Sequence, residues 1–315
     1  MFSGIMAGMT WAIETIVLGI ALSMSQFCST EQAIFLAPFV STFLHDTFSA
    51  IWATIYNAVK GNTKNVLACL KKKDGRFVIV AAIIGGPIGM TGYVLAVNYM
   101  GASVGAIASA IFPAIGAVLA FFFLKEKMQW YRWVCLILTL LGVYGLSYSP
   151  EVNITSFWLG ICGALMCAFG WGIEAVILAK CMKDPDVKDE YALQIRQTTS
   201  AIVNGLIILP VLKGWGFTAS LFTSESVKLL LIIAAAALFA TVSYLFYYRA
   251  ITQIGASKSM ALNVSYSAWA LIFTVVFLRD YSVLTPITVL CGLVVLVFSI
   301  LSAADFKELF TKKEK

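Results

Sequence analysis

Five ionisable side chains sit in stretches where nearly everything else is apolar: Glu14, His45, Asp46, Glu174 and Arg196. Glu14 lies in MTWAIETIV and Glu174 in GWGIEAVIL, so each carboxyl has a tryptophan three residues before it, Trp11 and Trp171. At helical spacing ring and carboxylate share a face. An acid placed in hydrocarbon costs about 3 kcal/mol on insertion scales, so it needs a cation, a proton or a hydrogen-bond partner. Glu14 and Glu174 therefore read as a helix–helix lock, as countercharges for a cationic substrate, or as proton carriers. His45, the single histidine, and Asp46 join them as proton-coupling candidates. Adjacent helix positions do not face one another, so His45 and Asp46 are each expected to find a partner on another helix. Arg196 is read either as a snorkelling cation or as a substrate contact.

Aromatic rings recur at comparable depth: Trp52, Tyr93, Tyr244, Tyr247, Tyr248, Tyr266 and Trp269, with Asn263 three residues before Tyr266. A quaternary ammonium donates no hydrogen bonds, so ring faces hold it best, with a carboxylate for net charge. A primary amine or a metal ion would call for more oxygen ligands. The expected substrate site is Trp11, Glu14, Tyr93, Trp171, Glu174, Tyr244, Tyr247, Asn263, Tyr266 and Trp269, and the expected ligand class is a small organic cation. The sequence has no serine–histidine–acid set, glycine-rich phosphate loop or metal-ligand cluster, and its seven cysteines lack CxxC spacing. Neither an enzyme nor a cofactor nor a resident metal is expected.

The elements that must position these residues follow from composition. Of 315 residues, 60% are hydrophobic and 12% charged, and mean hydropathy is +0.90. A soluble domain carries about twice that charge. A soluble enzyme, a disordered chain and a nucleic-acid partner are excluded, the last because the net charge of +6 is distributed as loop anchors. Apolar segments fall near 3–23, 33–56, 77–98, 104–124, 131–149, 156–179, 191–211, 227–250, 259–278 and 284–303, each close to the roughly 20 residues a crossing needs. Helix is the spanning structure because hydrocarbon cannot satisfy open backbone groups. The first segment has no basic flank and holds Trp11 and Glu14, so it reads as a helix rather than a cleaved signal.

With the N-terminus in the cytoplasm, inner loops hold Lys71, Lys72, Lys73, Arg76, Lys180, Lys183, Lys188 and the C-terminal lysines. Outer loops hold only Lys213, Lys228 and Arg279. That bias predicts a multi-pass cell-membrane protein with both termini cytoplasmic. Trp130, Tyr131, Trp133, Trp158, Trp215 and Tyr281 fall at segment ends, as interface-belt residues do.

The chain also repeats itself. Met6, Trp11, Ile13, Glu14 and Leu18 recur as Met166, Trp171, Ile173, Glu174 and Leu178, offset by 160. HDTFSAI from His45 recurs as RQTTSAI from Arg196, offset by 151. Tyr93 recurs as Tyr247, GAS at 101–103 as GAS at 255–257, and Leu124-Lys125-Glu126 as Leu278-Arg279-Asp280, all offset by 154. The expected fold is an all-α integral membrane protein of ten transmembrane helices in two five-helix repeats. The single transmembrane domain 1–315 divides into 1–150, 151–303 and a cytoplasmic tail, 304–315. Five is odd, so the copies must be inverted, a recurring plan of secondary transporters. Gly85, Gly86 and Pro87 interrupt the third segment as a candidate hinge. The small-residue runs Gly101–Ala110 and Ala234–Ala240 suit close helix packing.

The duplicated unit and the stretch GAS…FPAIGAVLAFFFLKEK, Gly101 to Lys127, resemble the drug/metabolite transporter superfamily in its EamA-type branch. That branch typically has an acidic residue beside a proline at the end of the fourth helix. Here the slot reads Lys125-Glu126-Lys127-Met128, without the proline. Within the branch, Thr10–Glu14 (TWAIE), Gly170–Glu174 (GWGIE) and the ring-rich eighth and ninth helices resemble bacterial choline permeases that feed phosphocholine decoration of teichoic acid or lipopolysaccharide. The resemblance implies choline import by alternating access, as a proton symport through an aromatic cage. Alternatives are an exporter of drugs, amino acids or other metabolites, and a non-transporting membrane receptor or scaffold. Direction of transport and oligomeric state stay open.

Overall fold

The computed structural model describes residues 1–101, 105, 107, 110–148 and 154–305. Ala102 and Ser103 of the first GAS run, Asn153 and the tail beyond Asp305 lie outside the described residues, as does much of the run to Ala110. Eight helices are long and apolar enough to cross a membrane: α1 (Phe2–Leu22), α2 (Glu31–Val59), α3 (Lys73–Met100), α5 (Trp130–Ser147), α6 (Phe157–Cys181), α8 (Val227–Ile254), α9 (Ala256–Leu278) and α10 (Pro286–Ala303). Two further rods complete the described bundle. They are α4 (Phe112–Leu124) and the more polar α7, spanning 189–211. The chain is an all-helical multi-pass membrane protein.

Helix contacts follow a repeating pattern. α1 packs on α8 as α6 packs on α3, α1 on α9 as α6 on α4, and α2 on α8 as α7 on α3. α2 meets α7, and α5 meets α10. Backbone detail repeats as well. α4 ends in a π turn, Ala120–Leu124, followed by left-handed Lys125 at φ 59°. α9 ends in Thr274–Leu278 followed by Arg279 at φ 54°. Gly101 and Gly255 turn the chain at φ 82° and 88°, a region open to glycine because it lacks a Cβ.

Small residues set the closest approach, since in lipid there is no hydrophobic drive between helices and packing must supply the attraction. A Cβ on Gly92 of α3 would lie 2.6 Å from the Gly163 carbonyl of α6, and one on Gly163 would lie 2.7 Å from the Gly92 carbonyl. Ala236, Ala237 and Ala240 are fully buried, and the Trp52 indole N–H of α2 donates to the Ala234 carbonyl at 3.0 Å. Trp52 thus pins α2 to α8. The predicted hinge is irregular: Ile84–Ile88 of α3 is a π turn around Gly85-Gly86-Pro87. Within α2, the Thr42 hydroxyl donates to the Pro38 carbonyl at 2.7 Å.

One end of the bundle is tied by charge. Lys60 meets Glu190 at 3.3 Å, Lys72 meets Asp186 at 2.7 Å, Arg249 meets Asp189 at 3.3 Å and Arg132 meets Asp305 at 3.1 Å. The hydrogen bond to Asp186 raises the pKa of the exposed Lys72 ammonium. Glu126 accepts from the backbone N–H groups of Ala256 and Ser257 at 2.9 and 3.1 Å and from the Ser257 hydroxyl at 2.8 Å. It thereby caps the start of α9. Its repeat counterpart Asp280, toward the other end of α9, accepts within its own turn from the Ser282 backbone N–H and hydroxyl.

Candidate functional site

The five buried ionisable groups converge from α1, α2, α6 and α7. Glu14, His45, Asp46, Glu174 and Arg196 are each 8% exposed or less. Arg196 Nε donates to Glu174 Oε1 at 2.8 Å, its Nη1 donates to Gln197 at 2.8 Å, and Nη1 stands 3.9 Å from Asp46. The Ser200 hydroxyl donates to Asp46. His45 Nε2 stands 3.4 Å from Glu14 Oε1, an ion-pair distance without hydrogen-bond geometry. The chain Glu14–His45–Asp46–Arg196–Glu174 is continuous.

Two sequence expectations are corrected. His45 Nδ1 lies 3.2 Å from Asp46 Oδ1, so the neighbours do touch. Their Cβ vectors diverge by about 100° around the helix, but Nδ1 is the ring nitrogen nearest the backbone, where a side chain as short as Asp46 can reach it. Each also has its cross-helix partner, as expected. Arg196 does not snorkel. Its charge stays in the core because two carboxylates are there to receive it.

Rings surround the network. Trp11 of α1 meets Tyr244 of α8 edge-on at 5.1 Å, and the Arg196 guanidinium lies over the Tyr244 ring at 5.0 Å. Trp171 of α6 stacks on Tyr93 of α3 at 6.1 Å and receives Phe112 of α4 edge-on at 5.5 Å. Tyr247 is buried and lies 6.1 Å from Tyr248, itself 6.0 Å from Tyr244, and Tyr266 opens the second segment of α9. Asn263 sits at a break in α9, where Ala256–Asn263 gives way to Tyr266–Phe273, and its Oδ1 is buried without a hydrogen-bond partner. Trp269 stacks on Phe273, and Phe273 on Phe277, a ladder along its own helix. No described ring contact ties Trp269 to the others.

Backbone shape helps to hold the carboxylates. A Cβ on Gly85 would collide with the Glu174 carboxylate, and one on Gly86 with the Ser200 hydroxyl. Ser200, Gln197, Phe112 and these glycine contacts are what sequence reasoning missed. Ser200 was within reach, since it stands in RQTTSAI four residues after Arg196, on the same helix face.

Residues 1–148 match the model of the EamA-like transporter family. Protein LicB of Haemophilus influenzae (strain ATCC 51907 / DSM 11121 / KW20 / Rd) is 30% identical over 236 residues, 75% of this chain and 76% of that protein. The chain belongs to the EamA-like transporter family. It is thus a transporter-family protein and not an enzyme. Among the described residues no group of three or more His, Cys, Asp or Glu could hold a metal ion. A solved crystal structure only 13% identical shares the fold. It has a TM-score of 0.68 and matches 100% of this chain and 98% of its own.

Proposed function

We propose that the protein is a secondary transporter that imports choline or a closely similar quaternary ammonium by alternating access. One observation carries the substrate class: the helices that bring the buried carboxylates together also bring ring pairs, Trp11 on Tyr244 beside Arg196 and Trp171 on Tyr93, a combination that suits a cation unable to donate hydrogen bonds. Trp11 and Tyr244 lie beside the charged chain, where the Arg196 guanidinium covers Tyr244, and Tyr93, Trp171 and Phe112 form the second ring group. Support for the architecture comes from the repeating contact pattern and from the paired π turns and left-handed residues at an offset of 154. In this reading all ten rods cross the membrane, the halves 1–150 and 151–303 are inverted copies, and both termini are cytoplasmic. Coupling is to protons, with Glu14, His45, Asp46 and Glu174 as candidates because one continuous chain of contacts links them.

A thermal-shift screen of the purified protein against choline, betaine, carnitine, polyamines and amino acids tests the substrate. Choline is expected to give the largest stabilisation, because a ligand that binds only the folded state raises the unfolding midpoint. Stabilisation by varied apolar cations with no preference would favour an exporter. Uptake into proteoliposomes is expected to collapse when a proton ionophore dissipates the gradient. Uptake that ignores the ionophore would remove the proton coupling while leaving the substrate untouched.

A further inference from the structure

The offsets that reveal the repeat also pair its charges. Glu14 corresponds to Glu174, and His45 to Arg196. Each half therefore brings a repeat-related carboxylate and basic side chain into the core, with Asp46 added in the first half where the second has Gln197, and the structure joins the related pair within each half: Glu14 with His45, and Glu174 with Arg196.

The two pairs are unequal. Glu174 receives a charge-assisted hydrogen bond of 2.8 Å from a guanidinium that also binds Gln197 and covers Tyr244. Arginine keeps its charge at any working pH, so Glu174 is permanently neutralised. Asp46 is satisfied as well, by Ser200, by His45 Nδ1 and by Arg196 at 3.9 Å. Among the described residues Glu14 has no comparable partner. His45 Nε2 stands 3.4 Å away without hydrogen-bond geometry, the Thr15 hydroxyl is 3.4 Å from the other carboxyl oxygen, and an imidazole's charge is removable. A buried carboxylate whose nearest cation is an imidazole with a removable charge is a weak stabilising element and a good cation receptor. Trp11 shares its helix face.

We propose that the repeat-related glutamates have divided their roles: Glu14 supplies the countercharge to the substrate cation, while Glu174 and Arg196 form a neutral positioning pair that holds Tyr244. This rests on the quaternary-ammonium reading above and adds which carboxylate the substrate meets.

Calorimetric titration with choline chloride at fixed ionic strength tests the division in three proteins: the parental protein, Glu14→Gln, and the double variant Glu174→Gln/Arg196→Gln. Removing both charges of a buried pair at constant shape is tolerated far better than removing one. The double variant is therefore expected to bind within about threefold of the parental protein, while Glu14→Gln weakens binding about tenfold or more. Should the double variant not fold, Arg196→Lys keeps a cation beside Glu174 and carries the same expectation. A double variant or Arg196→Lys protein that loses as much affinity as Glu14→Gln overturns the proposal, as does a Glu14→Gln protein with parental affinity. If the parental protein binds no quaternary ammonium, the functional reading itself fails and this division of roles falls with it. If the parental protein binds and the variants show the reversed order, only the division falls.

Discussion

Trp171 and Trp269 both stand at depth in apolar segments, Trp171 three residues before Glu174 and Trp269 three residues after Tyr266. In the bundle they differ. Trp171 lies between Tyr93 and Phe112, rings from two other helices, whereas Trp269 stacks along its own helix on Phe273. A ring held by other rings can present a fixed face to a cation, and each such face contributes about 0.5–2 kcal/mol. Trp171→Leu is expected to weaken choline binding about tenfold, or about 1.4 kcal/mol, with Trp171→Phe retaining most of the affinity. Trp269→Leu is expected to stay within about twofold on the same scale. Titration of the three variants checks both statements, and equal losses at the two positions would show that helix-internal stacking does not keep Trp269 out of the cage. The spacing of Trp11 to Glu14 and of Trp171 to Glu174 was legible because it is local. The partners of each ring were not, because they come from distant segments.

At the level of elements, α3 shows how a backbone irregularity serves a side chain on its neighbour. The π turn Ile84–Ile88 brings Gly85 against the Glu174 carboxylate. A methyl group there would force the carboxylate off its bond to Arg196 or push α3 from α6. Gly85→Ala is expected to cost about 1–3 kcal/mol of stability, the usual scale of overpacking, and to depress transport with it. Gly19→Ala is the matched control, since a Cβ at Gly19 meets nothing within 4 Å. Thermal unfolding of the two variants separates them, and a Gly85→Ala protein as stable as the control would show that α3 yields at little cost. The breakers themselves could be read from the sequence as a candidate hinge. That they make room for a carboxylate on another helix could not, because that contact depends on helix register across the α3–α6 interface.

For the whole molecule, the two halves match in kind while their ends differ in state. Glu126 docks on the first turn of α9, whereas its counterpart Asp280 closes on Ser282 in its own turn. The ion pairs Lys60–Glu190, Lys72–Asp186 and Arg249–Asp189 gather at the same end as Glu126. A repeat that gives two exchangeable half-structures should lose one such set when it changes state. Glu126→Gln keeps some hydrogen bonding but removes the charge that favours a helix N-terminus. Amide hydrogen exchange across 253–263 is expected to speed up in this variant, with Asp280→Asn leaving that stretch unchanged. Equal exchange in both variants would mean that the Glu126 contact does not hold this end closed.

The sequence alone determined that the protein lies in the membrane, because no other solvent accepts so apolar a chain. It also put Trp11 with Glu14, and Trp171 with Glu174, on shared helix faces, because residues three apart on a helix are neighbours. It marked two matching stretches through the repeated spacing of Glu14 and Glu174, Tyr93 and Tyr247, Lys125 and Arg279, and the helix contacts follow the same repeat. Tertiary structure decided who pairs with whom. Arg196 meets Glu174 and Asp46 instead of snorkelling, and His45 bridges Glu14 and Asp46. These contacts depend on the relative rotation of α1, α2, α6 and α7. That rotation is set by packing of small residues such as Gly92 against Gly163, and spacing along one segment carries no information about it.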